Sequence, residues 1–237
     1  MTWSIVARDP GTGAFGVAVT TKFFAVGALC PHAASGVGAL ATQALINPIY
    51  GPRGLGLLAE GKPAAAVVEA LLATDAGRGA RQLHVIDRSG GIAAHTGGDC
   101  VGWCGHVVEG GFSVAGNMLA GPEVIAATAG AYKEAAENAF ADRLIRGLEA
   151  GQAAGGDKRG KQSAALLVYA GEDYPFLDLR VDDHAEPLME LRRLYAEAHS
   201  LFLPFLSFLP SRADPSGTYD RAAIESALPR ARDALKR

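Results

Sequence analysis

The sequence predicts an α+β protein in which two mainly antiparallel sheets are stacked between helical layers. Three observations carry this. Strand-like and helix-like segments come in blocks rather than in strict βαβ alternation, so a single parallel sheet is not expected. The chain opens on two short apolar segments joined by turn residues, which is a hairpin signal. Neither segment shows a clean polar face, and strands apolar on both faces are covered on both faces.

Taken in order, residues 3–8 are β-prone, Asp9-Pro10-Gly11-Thr12-Gly13 is turn chemistry, and residues 15–21 are the returning strand. Residues 36–43 are a third strand. Residues 51–60 and 63–74 are helices, with Leu55, Leu58, Val67, Val68, Leu71 and Leu72 at helical spacing. Strands return at 81–87, 91–95, 105–109 and 112–116, so that Asn117 falls in a Gly-Asn turn ending a strand. Gly121-Pro122 opens a helix to about residue 137, with proline in the first turn, where its missing N–H costs nothing. A second helix follows over 140–150, then strands at 162–169 and 177–181 and an amphipathic helix at 186–199. Past residue 201 the prolines of 203–210 exclude a regular helix, and 219–236 reads as a tail helix kinked at Pro229. The domain division is therefore a sandwich over 1–200 and a C-terminal arm over 201–237. The apolar 201–210 segment, as a patch that needs cover, predicts a homodimer.

At 49% hydrophobic and 20% charged residues the 237-residue chain can bury a sizeable core. A net charge of −3 leaves no broad basic field, so neither nucleic acid nor an anionic membrane is an expected partner. No apolar run reaches the roughly 18 residues of a membrane span. The start has no basic n-region, and three cysteines are too few and too odd in number for a disulfide scaffold. A reducing cytoplasm with Cys30, Cys100 and Cys104 as thiols is the expectation.

Several motifs imitate chemistry without its context. Gly11-Thr12-Gly13-Ala14-Phe15-Gly16 fits a dinucleotide fingerprint, but a strand follows it where a helix N-terminus is required. The loop from Gly155 to Gln162 departs from a phosphate-binding loop at Gln162, where Ser or Thr belongs, and it precedes a strand instead of following one. His95, Cys100, Cys104 and His106 contain at most one zinc-knuckle spacing among residues that read as buried strand, so no metal is expected. Gly111-Phe112-Ser113-Val114-Ala115 lacks the last glycine of a nucleophile elbow.

Position 2 carries the chemical signal. Thr is small enough for Met1 to be removed, which leaves Thr2 as the first residue of a strand. A terminal threonine holds a nucleophilic hydroxyl and, in its own α-amine, the base that takes the proton. The reference pKa of such an amine, about 7.7–8.0, suits a base near neutral pH, and a nearby cation lowers it. Lys22, just past the second strand, is the candidate cation, because the hairpin returns its end to the start of the first strand.

Longer stretches carry a family resemblance. They are Thr2-Trp3-Ser4-Ile5-Val6-Ala7-Arg8-Asp9, residues 22–28, Ala41-Thr42-Gln43-Ala44, Tyr50-Gly51-Pro52-Arg53-Gly54, Arg81-Gln82, His95-Thr96-Gly97, residues 116–122, 155–160 and 179–184. With these the chain resembles the bacterial domain-of-unknown-function family 1028, in the Ntn-hydrolase-like superfamily, over about residues 2–195. The resemblance implies a four-layer αββα sandwich. No cofactor is expected. The resemblance also implies catalytic roles for Thr2 as nucleophile, Lys22 as tuner of the amine and Asn117 as oxyanion donor. Asp157 and Arg159, in a glycine-rich loop, are the candidates for binding substrate amine or the Thr2 amine, and substrate carboxylate, respectively. His95 stands beside them as a substrate-side candidate, better read as a hydrogen-bonded strand-end residue than as a base. The expected activity is hydrolysis of a small linear amide. The alternative is a catalytically silent binding or assembly protein on the same fold.

Overall fold

The computed structural model describes residues 2–234. Met1, whose removal the expected chemistry requires, and the expected end of the tail helix at Lys236 lie outside the described residues. β1 (Thr2–Arg8) and β2 (Phe15–Thr21) form the expected hairpin. Its turn is closed by the Asp9 carboxylate, which accepts the Thr12 N–H and hydroxyl, and by Gly13 at φ 75°, a conformation glycine adopts without steric cost.

β3 (Pro31–Ala34), β4 (Gly38–Ala44), β5 (Arg81–Asp87) and β6 (Ile92–Thr96) form a four-stranded sheet in that order. β7 (Trp103–Glu109), β8 (Phe112–Leu119), β9 (Ser163–Tyr169) and β10 (Leu177–Val181) join the hairpin in a six-stranded sheet, ordered β10-β9-β2-β1-β8-β7. Every pairing is antiparallel. The helices are α1 (Tyr50–Ala59), α2 (Ala64–Ala73), α3 (Glu123–Glu134), α4 (Phe140–Ala153), α5 (Pro187–Ala198), α6 (Phe202–Leu206) and α7 (Arg221–Ala234).

Three apolar clusters define four layers. Trp3, Ile5, Leu144, Ile145, Leu148 and Leu191 fill the space between the six-stranded sheet and α3, α4 and α5. Val6, Val17, Val19, Ala39, Ala41 and Ile86 lie between the two sheets. Leu40, Leu58, Val67, Leu71, Leu83 and Val85 lie under α1 and α2. The αββα sandwich expected from two-faced apolar strands is the observed fold.

Three local expectations are corrected. β3 escapes the pattern because it is four residues long and starts on Pro31, which an edge strand tolerates. The 201–210 segment does hold a helix: Pro204 is the third residue of α6, inside the first turn, where an N–H has no helical partner to lose. Asn117 is not a turn residue, since β8 runs on to Leu119 and pairs Asn117 with Thr2. Among the described residues no helix is long and apolar enough to cross a membrane.

Candidate active site around Thr2

β1 is central in its sheet, so its first residue has a neighbour on each side: Thr2 pairs with Thr21 on β2 and with Asn117 on β8. Alternation along β1 sends Trp3 into the helix-side core and turns Thr2 and Ser4 toward the other sheet. Thr2 is only 8% exposed, and its hydroxyl donates to Thr21 Oγ1 at 3.1 Å.

Below it lies a buried polar network that crosses from sheet to sheet. Asn117 Nδ2 donates to Gln82 Oε1 at 3.1 Å and to the Thr2 carbonyl at 3.3 Å. Gln43 Nε2 donates to Gln82 Oε1 at 2.8 Å and to the Ala115 carbonyl at 3.0 Å. Gln82 Nε2 lies at 2.9 Å from both the Gly116 carbonyl and Thr96 Oγ1 and at 3.0 Å from the Gly105 carbonyl. A register shift between Trp103 and Gly105 interrupts the β7–β8 ladder beside these carbonyls.

The network continues inward to a histidine. Ser4 gives its one hydroxyl proton to Gln43 Oε1 at 2.6 Å, so His84 donates from Nε2 to Ser4 Oγ at 2.8 Å. His84 Nδ1 then accepts from the Ser113 hydroxyl at 2.7 Å, which requires a neutral ring. Burial, reinforced by the charge of His106, pushes this imidazole down to about 3. An unfolded histidine titrates near 6.5. Below that pH the unfolded chain binds a proton that the folded chain refuses, so stability is full above about 6.5 and falls as the pH drops toward 3. Urea unfolding at pH 6.5 and 4.5 is expected to differ by about 2 kcal/mol, with most of the difference lost in His84→Gln. An unchanged slope in that variant would refute the assignment.

Of the residues singled out from the sequence, the fold gathers Thr2, Asn117, Asp157 and the Lys22 backbone. Asp157 is buried; its Oδ2 accepts the Lys22 N–H at 3.0 Å and its backbone bridges to Leu119. Arg159 donates to it from the backbone at 2.8 Å and pairs with it through Nη2 at 3.2 Å. The loop folds this tightly because Gly156 takes φ 53° against the Trp3 ring, where a Cβ would come within 3.0 Å. The Lys22 ammonium is exposed and lies 3.4 Å from the Lys161 carbonyl. His95 is not brought to the group: it faces away from Thr96, with Nε2 2.9 Å from the Arg78 carbonyl. Among the described residues no three His, Cys, Asp or Glu side chains are grouped to hold a metal ion.

The sequence reading missed Thr21 and His84, gave Ser4 no role beyond its motif, took Ser113 as a plain strand residue, and left Gln43 and Gln82 without a role. Their signal is a polar residue at every second position of an otherwise apolar strand, as in Thr2 and Ser4 or Gln82 and His84.

Comparisons with known proteins agree with this architecture. A crystal structure of protein SPO2555 from Silicibacter pomeroyi, itself matched to the same family model as this chain, superposes with a TM-score of 0.85 at 32% identity. The match covers 92% of this chain and 99% of that one. No curated protein matches the chain. The family model spans residues 2–191, and the chain belongs to the family of unknown function DUF1028.

Proposed function

We propose that the protein is an N-terminal-nucleophile amidohydrolase of the Ntn-hydrolase type, acting on a small linear amide, with Thr2 as nucleophile after Met1 is removed. The observation that carries this reading is the position of Asp157. Its carboxylate and backbone tie the ends of β2 and β8 together just beyond the first residue of β1, which runs between them. Once Met1 is gone, the Thr2 α-amine emerges in the gap that this buried carboxylate spans.

In the reaction the Thr2 hydroxyl oxygen attacks the amide carbon while the α-amine takes the hydroxyl proton. The carbonyl oxygen becomes an oxyanion and takes the Asn117 N–H that the longer, 3.3 Å bond now gives to the Thr2 carbonyl. The C–N bond breaks, the leaving amine receives the proton, and water cleaves the threonyl ester to regenerate the hydroxyl. Asp157 orients the amine, Arg159 meets a substrate carboxylate, and Lys22 contributes the positive potential that lowers the amine pKa. His95 has no part in these steps. A silent binding protein on the same fold would lack turnover altogether. Intact mass of the untagged protein together with an amide-hydrolysis panel tests the reading: Met1 is expected to be absent and an amide to be cleaved. Hydrolysis by protein that retains Met1 would sink it.

We further infer a cytoplasmic homodimer. All three cysteines are free, and denatured, unreduced protein is expected to titrate three thiols. Intramolecular packing covers Leu203 and Pro204 but leaves Leu201, Phe202 and Phe205 exposed along a groove of about 910 Å³, completed by Leu194, Ile224 and Leu228. Light scattering is expected to give twice the chain mass at micromolar concentration. A monomer mass throughout dilution would contradict this.

A further inference from the structure

Three non-glycine residues among those described have left-handed backbone: Ala25 at φ 51°, Ala44 at φ 68° and Met118 at φ 52°. This conformation is disfavoured for any residue with a Cβ, and it collects at functional sites. All three lie at the Thr2 end of the sandwich. Ala25 lies just past β2, Ala44 ends β4, and Met118 follows Asn117. Each adjoins a large apolar side chain held in water. Phe24 precedes Ala25, Leu45 follows Ala44, and the Met118 N–H donates to the Val101 carbonyl at 3.1 Å. With Phe23 and Ile49, these five apolar side chains are 57–65% exposed.

The rim is braced. The Phe23 carbonyl accepts the Ser163 hydroxyl at 2.6 Å, and the Ala25 N–H donates to the Asp182 carbonyl at 2.9 Å. Across from it, Asp75 accepts from the Asn47 amide at 3.1 Å, the Tyr50 hydroxyl at 2.7 Å and Arg81 Nε at 2.9 Å, while Arg81 Nη1 holds the Leu45 carbonyl. Tyr50 and Arg81, from motifs with no role in the chemistry, thus hold the loop carrying Leu45 and Ile49. A cation completes the rim. Lys158, next to Asp157, is exposed and has no acidic partner among the described residues. Its ammonium is 3.3 Å from where a Cβ on Gly102 would sit, beside Val101.

Apolar side chains kept exposed on strained, braced loops around one buried nucleophile are a recognition surface and not loose loop tips. We propose that this rim selects amides joining an apolar acyl group to an amine part that carries a carboxylate. The acyl group lies across Phe24, Leu45 and Ile49, and Lys158 joins its neighbour Arg159 in meeting the carboxylate. This rests on the amidohydrolase reading of Thr2.

The probes are N-acetyl-, N-hexanoyl- and N-decanoylglycine and the corresponding glycinamides. One fully buried methylene is worth about 4-fold, so partial burial of the decanoyl chain predicts a kcat/KM at least about 30-fold above that for acetyl. Phe24→Ser with Leu45→Ser is expected to cut the decanoyl-to-acetyl ratio at least about 5-fold. Glycine is expected to be preferred over glycinamide by roughly 10-fold, and Lys158→Gln should cut that preference at least about 3-fold, whereas an unchanged preference would take Lys158 out of the rim. Calorimetry on Thr2→Ala separates recognition from cleavage. Tighter binding of decanoylglycine than of acetylglycine, with no cleavage by the unaltered protein, keeps the rim and removes the hydrolase. Amide cleavage without chain-length dependence keeps the hydrolase and overturns the rim. A dimer that Phe24→Ser dissociates, again without chain-length dependence, gives the rim to a second copy and also overturns it.

Discussion

Thr2→Ala is expected to abolish amide hydrolysis, by at least about 10⁴-fold in kcat, while leaving the protein folded. The side chain removed is a hydroxyl and a methyl at the start of β1, with one hydroxyl–hydroxyl bond to Thr21. Losing that bond costs about 1 kcal/mol, which thermal unfolding resolves. The α-amine survives, so the loss isolates the nucleophile. Thr2→Ser keeps the nucleophile but loses the methyl that restricts its rotamer, so partial activity is expected. Blocking the amine, by acetylation or by a retained Met1, is expected to be nearly as damaging as Thr2→Ala, because both halves of the pair sit on one residue. Asn117→Ala is expected to lower kcat about 10²–10³-fold. Hydrolysis that survives Thr2→Ala would remove Thr2 from the mechanism.

Gln82→Ala is expected to destabilise the fold by about 3–5 kcal/mol, measured by urea unfolding. The side chain is fully buried and links five groups: it donates toward the Gly105 and Gly116 carbonyls and Thr96 Oγ1, and accepts from Gln43 and Asn117. Each buried partner left unpaired costs about 1–3 kcal/mol. Gln82→Met restores the volume but not the bonds, and is expected to recover little. Activity should fall in both variants, because Asn117 loses the acceptor that aims its amide. A Gln82→Met protein as stable as the parent would show the site to be ruled by packing and not by hydrogen bonding.

The two expectations draw on different levels of information. The hairpin, the two-faced apolar strands, the proline-led α3 and the threonine behind Met1 are local patterns, set by steric and periodic rules over a few residues, and they were legible in the chain. Family motifs pointed to Asp157 and Asn117 as important residues. What Asp157 touches was not legible, because its partners at Lys22 and Leu119 are 135 and 38 positions away and meet only through strand order. Gln82 shows the same limit from the other side. A polar residue in an apolar strand signals an inward polar face, but its partners sit on β4, β6, β7 and β8 and are chosen by the register of two sheets. His95 is the hydrogen-bonded strand-end residue expected, but its distance from the Thr2 group was not legible: one step along β6 separates the face that meets Thr96's network from the face that meets Arg78. Side-chain period determined which residues share a face. The pairing of strands far apart in sequence, a property of closed hydrogen-bond ladders and the packing of two sheets, decided which faces meet around Thr2.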